Sequence, residues 1–366
     1  MDIFKFNNPN APTKMEQGEI INNLKSKMWV ERYRDAGEFT LIAPANSGIK
    51  EKLPIGTFIS HIKTTEIMIV ENHEISDTAG NESDVIITGR GFETFFENRI
   101  VGSNKTYPVS QVLSDYLLPA NYTWNQAVTL INNHILASSL IDKSYAFPYV
   151  SVSSIVSGTS ISIERTFPSE SLYSHILKLL AIDDLGIKII RPGLWSIVPL
   201  DTTVVIHVGI DKSAKVVFSY DTGEIISADY LWSNKKLKNA AMVSGKWVQT
   251  VVNPIDIEYK KRMMYVDAKD IDEKDAAAPS GARLTEVVAA MQQRGKEALA
   301  SKNNLVLTKA NVIKEVSRAT YRVDFDVGDL IMVGGDYNQT APMRVSEYVE
   351  IEDSTGESGY PTLTIS

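Results

Sequence analysis

Tyr321-Arg-Val-Asp-Phe-Asp-Val-Gly-Asp-Leu-Ile-Met-Val-Gly-Gly335, followed after a short polar loop by Met343-Arg-Val-Ser-Glu-Tyr-Val-Glu-Ile351, decides the fold class of this chain. Val323, Phe325 and Val327 alternate with polar residues, and Leu330 and Met332 continue the pattern. The spacing predicts two strands that meet at a Gly328-Asp329 turn, with one face buried. Arg344 to Ile351 repeat the period of two and predict a return strand beside them. Gly328 is the residue expected to supply a positive φ at the turn.

Composition bounds what such a chain can be. Its 366 residues exceed one ordinary core and predict two or three domains. Hydrophobic residues at 43% and charged residues at 22% are those of a globular protein. No apolar run approaches the ~18 residues of a membrane span. The start, Met1-Asp-Ile-Phe-Lys-Phe-Asn-Asn-Pro9, has no basic segment followed by an apolar core, so synthesis in a cytoplasm without a secretory signal is expected. The absence of cysteine excludes disulfides, thiolate metal sites and a cysteine nucleophile. A net charge of −8 argues against a surface built for phosphate backbones, so no specific nucleic-acid binding is expected.

Along the chain, strands are expected at 24–33, 38–44, 58–62, 67–70 and 85–88, with Arg34-Asp-Ala-Gly37 as a turn. Helical spacing follows at 108–118, stopped by Pro119, at 123–140 with Thr123 as N-cap, and at 168–182 with Gly186 as C-cap. Strands return at 187–190, 194–198, 204–208 and 216–219. Residues 284–301 form an amphipathic pattern with Leu284, Val287, Val288, Met291 and Leu299 on or near one face.

Four motifs in order carry a resemblance. They are Arg32-Tyr33…Asp35-x-Gly37-Glu-Phe39, Gly89-Arg-Gly91, the Asn239/Val243/Gly245 pattern, and Val327-Gly328-Asp329 with the Arg344-Val strand. The chain resembles the siphophage tail-tip or baseplate hub family, the structural N-terminal part of tail-associated proteins, related in fold to contractile-tail central hubs. The resemblance implies an α+β, mainly β fold of two small β-barrel domains with an interposed α/β domain. Residues 1–102 would form the first barrel, completed by strands in about 187–230. Residues 103–186 would be the interposed helical domain, and 231–366 the second barrel with a helix inserted at about 283–301. It also implies a homotrimer that closes the tail tube and opens for DNA ejection. The implied partners are a distal tail protein, a tape-measure protein and a fibre or receptor-binding protein. The chain ends fifteen residues after Ile351, so lytic or adhesive appendages are expected to be missing or carried by another polypeptide.

The residues offer no catalytic, cofactor-binding or metal set, and none is assigned. His61, His73, His134, His175 and His207 lack ligand spacing and read as core or surface residues. His73-Glu74 has no accompanying nucleophile and reads as a strand end. Asp183-Asp184 and Asp270, Asp272, Glu273 and Asp275 lack the order of a calcium loop and read as solvated loops. Glu93 and Glu97 fit a polar helix face as well as a glycosidase pair. Basic-aromatic runs at 232–238 and 258–265 read as charged strand or turn faces. The competing readings are a cell-wall hydrolase and a carbohydrate-binding baseplate module.

Overall fold

The computed structural model describes residues 2–6, 17–76, 83–102, 116–135, 150–154, 163–191, 202–219, 221, 225–233, 238–252, 261–272, 275–300, 305–312, 318–334 and 340–365. The expected strand at 194–198 and the greater part of the expected helix at 108–118 lie outside these residues. The fold is α+β and mainly β.

The first region contains β1 (Ile3–Phe6), β2 (Gln17–Ile21), β3 (Ser26–Arg32), β4 (Glu38–Pro44), α1 (Ile49–Lys52), β5 (Phe58–His61), β6 (Met68–Ser76) and β7 (Asp84–Gly91). Alternation explains the burial: Phe39, Leu41 and Ala43 of β4 and Val85 and Ile87 of β7 point inward, their neighbours outward. Trp29 of β3 stacks on Phe39 at 5.9 Å and fills the centre of this core. Gly89 is required where β7 crosses β6, because a Cβ there would lie 1.8 Å from the Ile69 carbonyl oxygen.

The middle region contains a 3₁₀ helix (Phe92–Asn98), β8 (Tyr116–Asn121), α2 (Thr123–Ile135), β9 (Val150–Ser154), β10 (Ile163–Phe167), α3 (Leu172–Ile182), β11 (Gly186–Ile190) and β12 (Thr202–His207). Helices α2 and α3 pack together over a core that includes Leu130, Ile131, Ile176, Leu180, Ile187 and Val204. Two expectations need correction here. Tyr116–Asn121, read as a helix end and its stop, is a strand paired antiparallel with β10. The residue that turns the chain after α3 is Asp184 at φ 54, and Gly186 instead opens β11.

The last region contains β13 (Val217–Ser219), β14 (Ile225–Ser233), β15 (Ala240–Ser244), β16 (Gln249–Val252), β17 (Met263–Asp267), α4 (Lys269–Asp272), α5 (Gly281–Ala300), β18 (Leu305–Val312), β19 (Leu330–Gly334), β20 (Thr340–Asp353) and β21 (Gly356–Ile365). Here the stretch 321–327 departs from its reading. It is a turn, with Asp324 Oδ2 accepting from the Thr320 amide at 2.7 Å and the Asp324 amide donating to the Thr320 carbonyl. These local bonds replace a strand ladder. Gly328 has the positive φ expected, at 98°, and leads into β19, which pairs antiparallel with β20.

One 11-stranded sheet runs in the order β13-β19-β20-β3-β4-β7-β6-β5-β1-β2, with β21 on β20. The pairings give an open path and do not close a ring among the described residues. β20 is the joining element, since one side of it pairs first with β19 and then with β3, past a register shift between Val345 and Glu347. The strands between 187 and 230, expected to complete the first barrel, are divided among several pairings. β12 lies between β11 and β9, β13 is on β19 in the large sheet and β14 is on β18; β11 meets the first region at its edge, where the Ile187 amide donates to the Tyr33 carbonyl at 3.1 Å, the Ile67 amide to the Ile189 carbonyl at 3.2 Å and the Arg191 amide to the Thr65 carbonyl at 2.8 Å, beside the Glu66–Ile190 bridge. A separate sheet, β16-β15-β17, packs on α5. Among the described residues no helix is long and apolar enough to cross a membrane.

Candidate functional site

The three regions meet around Tyr33, at the end of β3. Its hydroxyl donates to the Asp184 carbonyl at 2.8 Å and accepts from the Gly209 amide at 3.1 Å, so a first-region residue fixes the end of the β11–β12 pair at which β11 begins and β12 finishes. Its ring lies against Gly186 and Gly328, where a Cβ would come within 2.4 Å, and the Arg344 guanidinium sits 5.0 Å from the ring centre. Asp184 receives Arg34 at 2.8 Å and also Arg344. Arg344 donates to the Gly328 carbonyl as well. Asp329 accepts from the Ile210 amide at 2.8 Å, the Asp326 amide at 2.9 Å and the Lys212 ammonium at 2.9 Å. Residues from two motifs far apart in sequence, Tyr33 from one and Gly328, Asp329 and Arg344 from the other, thus converge on one joint.

A second cluster lies along the inner face of β3 beside β20. Lys27, Trp29 and Glu31 face the same way by strand alternation, opposite Glu352, Glu350 and Tyr348. The Lys27 ammonium, wholly buried, reaches Glu350 at 2.8 Å, Glu352 at 3.2 Å and His61 Nε2 at 2.6 Å. Arg322 donates to Glu31 at 2.8 Å and to Glu350 at 3.3 Å, and Tyr321 donates to Glu31 at 2.6 Å. Burial raises the Glu350 carboxyl, but His61, charged in the acid range where Glu350 titrates, together with Lys27 and Arg322 outweighs it and sets it at about 2. His61 is itself pushed down to about 4 by burial, with Lys27 and Arg322 adding to the effect. It is therefore uncharged at neutral pH, where Lys27 and Arg322 supply the compensation.

Beside this cluster a cavity of about 160 Å³ is lined by Glu31, Glu66, Asp326, Lys63, Lys188 and Arg322, with Thr64 and Thr65. Burial and the neighbouring Glu31 carboxylate push Glu66 well above the ordinary range. Three acids and three bases from the three regions thus line one cavity. Among the described residues no three metal-ligating side chains are brought together.

Two acidic readings change. Glu93 does not lie on a polar face: it is buried, and its Oε1 accepts from the Ile189 amide at 2.5 Å, while Glu97 is exposed and paired with Arg90 at 3.1 Å. Asp272 is also buried and accepts from the amides of Lys246, Trp247 and Val248 at 2.6, 2.8 and 3.0 Å. It thereby fixes the turn between β15 and β16, against Gly245. Burial sets the Glu93 carboxyl at about 7, above its unfolded value of 4.5. Its contribution to stability is therefore complete below pH 4.5 and lost as pH rises through 7, by about 3 kcal/mol. Glu93→Gln is expected to keep the bond to Ile189 and flatten that part of the profile, as measured by urea unfolding at pH 5 and pH 8. An unchanged difference between the two pH values would contradict it.

The histidines are structural. His134 donates to the Leu130 carbonyl at 2.8 Å, His175 to Pro168 at 2.8 Å and His73 to Leu53 at 2.7 Å. His207 packs edge-on against Tyr33 at 5.2 Å and is held at about 3 by burial. Sequence reasoning passed over Lys27, Glu31, Arg322 and Glu350, and read His61 only as a core or surface residue. The available signal was charge at inward positions of β3 on either side of Trp29.

Three solved structures with a similar fold are described as tail proteins. The tail protein from Neisseria meningitidis MC58 superposes with TM-score 0.58 at 13% identity, covering 95% of this chain and 94% of that chain. The 43 kDa tail protein of prophage MuSo2 from Shewanella oneidensis gives 0.56 at 12%, covering 100% and 98%. Prophage tail protein gp18 from Listeria monocytogenes EGD-e gives 0.56 at 11%, covering 100% and 94%. At these identities the likeness is one of fold. A search among curated proteins returns no significant match by sequence. A family model described as "Siphovirus ReqiPepy6 Gp37-like protein" matches residues 13–364, nearly the whole length, and the chain belongs to that family.

Proposed function

We propose that this protein is the structural hub of a siphophage tail tip, closing the distal end of the tail tube and joining it to its neighbours. The observation that carries the reading is β20, which binds the last strands to β3 in one sheet and locks that seam with the Lys27, Glu350 and Arg322 charges. Such a frame transmits force between its parts as one body, which an adaptor under ejection stress requires. In this reading two barrel-like halves, 1–102 completed by strands in about 187–230 and 231–366, would lie to either side of the interposed residues 103–186. Three copies would present six related units to a sixfold tube and so reconcile it with a threefold tip. The distal tail protein and the tape-measure protein are the neighbours this position implies, with a fibre or receptor-binding protein beyond, and opening of the trimer would release DNA. A tail-tip reconstruction tests the reading: this chain in threefold symmetry with two barrel-like units per copy is expected. Any other symmetry for it would remove the reading.

The role is structural and not enzymatic. Glu93, whose carboxyl burial sets at about 7, is committed to the Ile189 amide, so it faces no substrate. Purified protein is expected to leave a cell-wall suspension turbid. Clearing that disappears in Glu93→Gln or Glu97→Gln would establish the hydrolase reading instead.

A further inference from the structure

We propose that Glu66 is a proton switch in the seam between the first region and β11: with its carboxyl neutral the seam closes, and with it ionised the seam loosens. The proposal concerns this chain by itself and does not depend on the tail-tip reading. The seam is narrow. β11 gives one edge to β12 and the other to two stretches of the first region, through backbone bonds to Tyr33, Ile67 and Thr65. Glu66 lies within the second stretch, bridged to Ile190. Its main chain is held on both sides, since the Ser60 hydroxyl donates to its carbonyl at 2.7 Å and its amide donates to the Thr64 hydroxyl at 3.1 Å. Ile67, Ile187 and Ile189 enter the core, so alternation sets Glu66 and Lys188 on the other side. Both side chains line the cavity of about 160 Å³, and the pinned main chain keeps the Glu66 carboxyl there while the seam is closed.

The charges that face Glu66 there are unbalanced. Glu31 of β3 and Asp326 of the 321–327 turn line the same cavity, and Glu93 lies on the core side of β11 with its Oε1 on the Ile189 amide. Two of the three cations are already engaged: Arg322 bonds Glu31 at 2.8 Å and Glu350 at 3.3 Å, and Lys63 pairs with Glu357. Tyr321 gives its proton bond to Glu31, and His207 of β12 is uncharged above the acid range. Among the described residues the Glu66 carboxyl accepts no hydrogen bond and joins no ion pair, and Lys188 is in no ion pair either. An ionised Glu66 therefore meets two carboxylates in its cavity with Lys188 alone to offset them. Burial and like charge disfavour that form in the closed seam, and separating β11 from the first region relieves both. The sign follows from linkage. The folded chain holds this proton more tightly than the unfolded one, so the stabilisation is complete below pH 4.5 and is lost as pH rises through the folded value.

The test is hydrogen exchange of the purified full chain, read at the Ile67, Ile187 and Arg191 amides at about pH 5 and about pH 9 and corrected for the intrinsic rise of exchange with pH. Protection is expected to fall roughly tenfold across this range, the counterpart of about one pH unit between the carboxyl's midpoints in the closed and the open seam. Glu66→Gln should hold protection near its acid level. Glu93 titrates in the same direction, so the comparison is repeated in Glu93→Gln, where a fall that persists and then disappears in the double variant belongs to Glu66. A fall abolished by Glu93→Gln alone, or left unchanged by Glu66→Gln, would overturn the proposal. The carboxyl carbon-13 resonance of Glu66, assigned by its absence in Glu66→Gln, reads the switch directly in the unaltered chain. Its midpoint is expected above the ordinary carboxylate range, and higher still in Lys188→Met, which removes the cation that favours the ionised form. A midpoint at the ordinary carboxylate value removes the switch, whatever the variants do.

Discussion

Lys27→Met is expected to destabilise the protein by about 3–5 kcal/mol, the cost of leaving one half of a buried ion pair without its partner. Methionine fills the same channel but gives Glu350 nothing in place of the 2.8 Å bond, and Glu352 loses its contact as well. Removing the acid together with the base should recover most of the loss, so Lys27→Met with Glu350→Gln is expected to be more stable than Lys27→Met alone. The pH profile carries the same signature. Glu350 sits at about 2 in the folded chain against 4.5 unfolded, so its contribution is full above pH 4.5 and is lost as pH falls toward 2. In Lys27→Met that acid limb should shrink. Urea unfolding at pH 7 and pH 3 measures both effects, and a variant as stable as the parent at pH 7 would show that the pair contributes nothing to the seam.

Gly328→Val is expected to cost about 3 kcal/mol, from backbone strain of roughly 1–2 kcal/mol together with overpacking of roughly 1–3 kcal/mol. Gly328 sits at φ 98, and a Cβ would press to 2.4 Å on the Tyr33 ring, which already bonds Asp184 and Gly209. Gly56 supplies the control. It has φ 86 with nothing within 4 Å, so Gly56→Ala should show the strain alone, about 1 kcal/mol. Gly328→Ala should exceed it, and the difference reports the contact with Tyr33. Equal melting temperatures for the two alanine variants would mean that Tyr33 is not wedged at this joint.

Strands β4, β7 and β20 and helices α2, α3 and α5 were legible in the sequence, because periods of 2 and 3.6 are written in neighbouring residues. The positive φ of Gly328 was legible for the same local reason. Other features were not. The apolar spacing up to Leu117 satisfies a helical period, yet Tyr116–Asn121 is a strand because β10 offers it a partner. The alternation at 321–327 satisfies a strand period, yet Asp324 bonds the backbone of Thr320 and closes a turn. The residues of the joint were equally hidden. Lys27 and Glu350 are 323 positions apart, and each alone is a charge that belongs in water. Only when β20 lies beside β3 does each become the other's solvent. The sequence therefore determined the strand-rich class, the main helices and the motifs that carry the family. The tertiary structure decided which charges are buried and which carboxyls share one cavity, because both depend on partners brought together from distant parts of the chain.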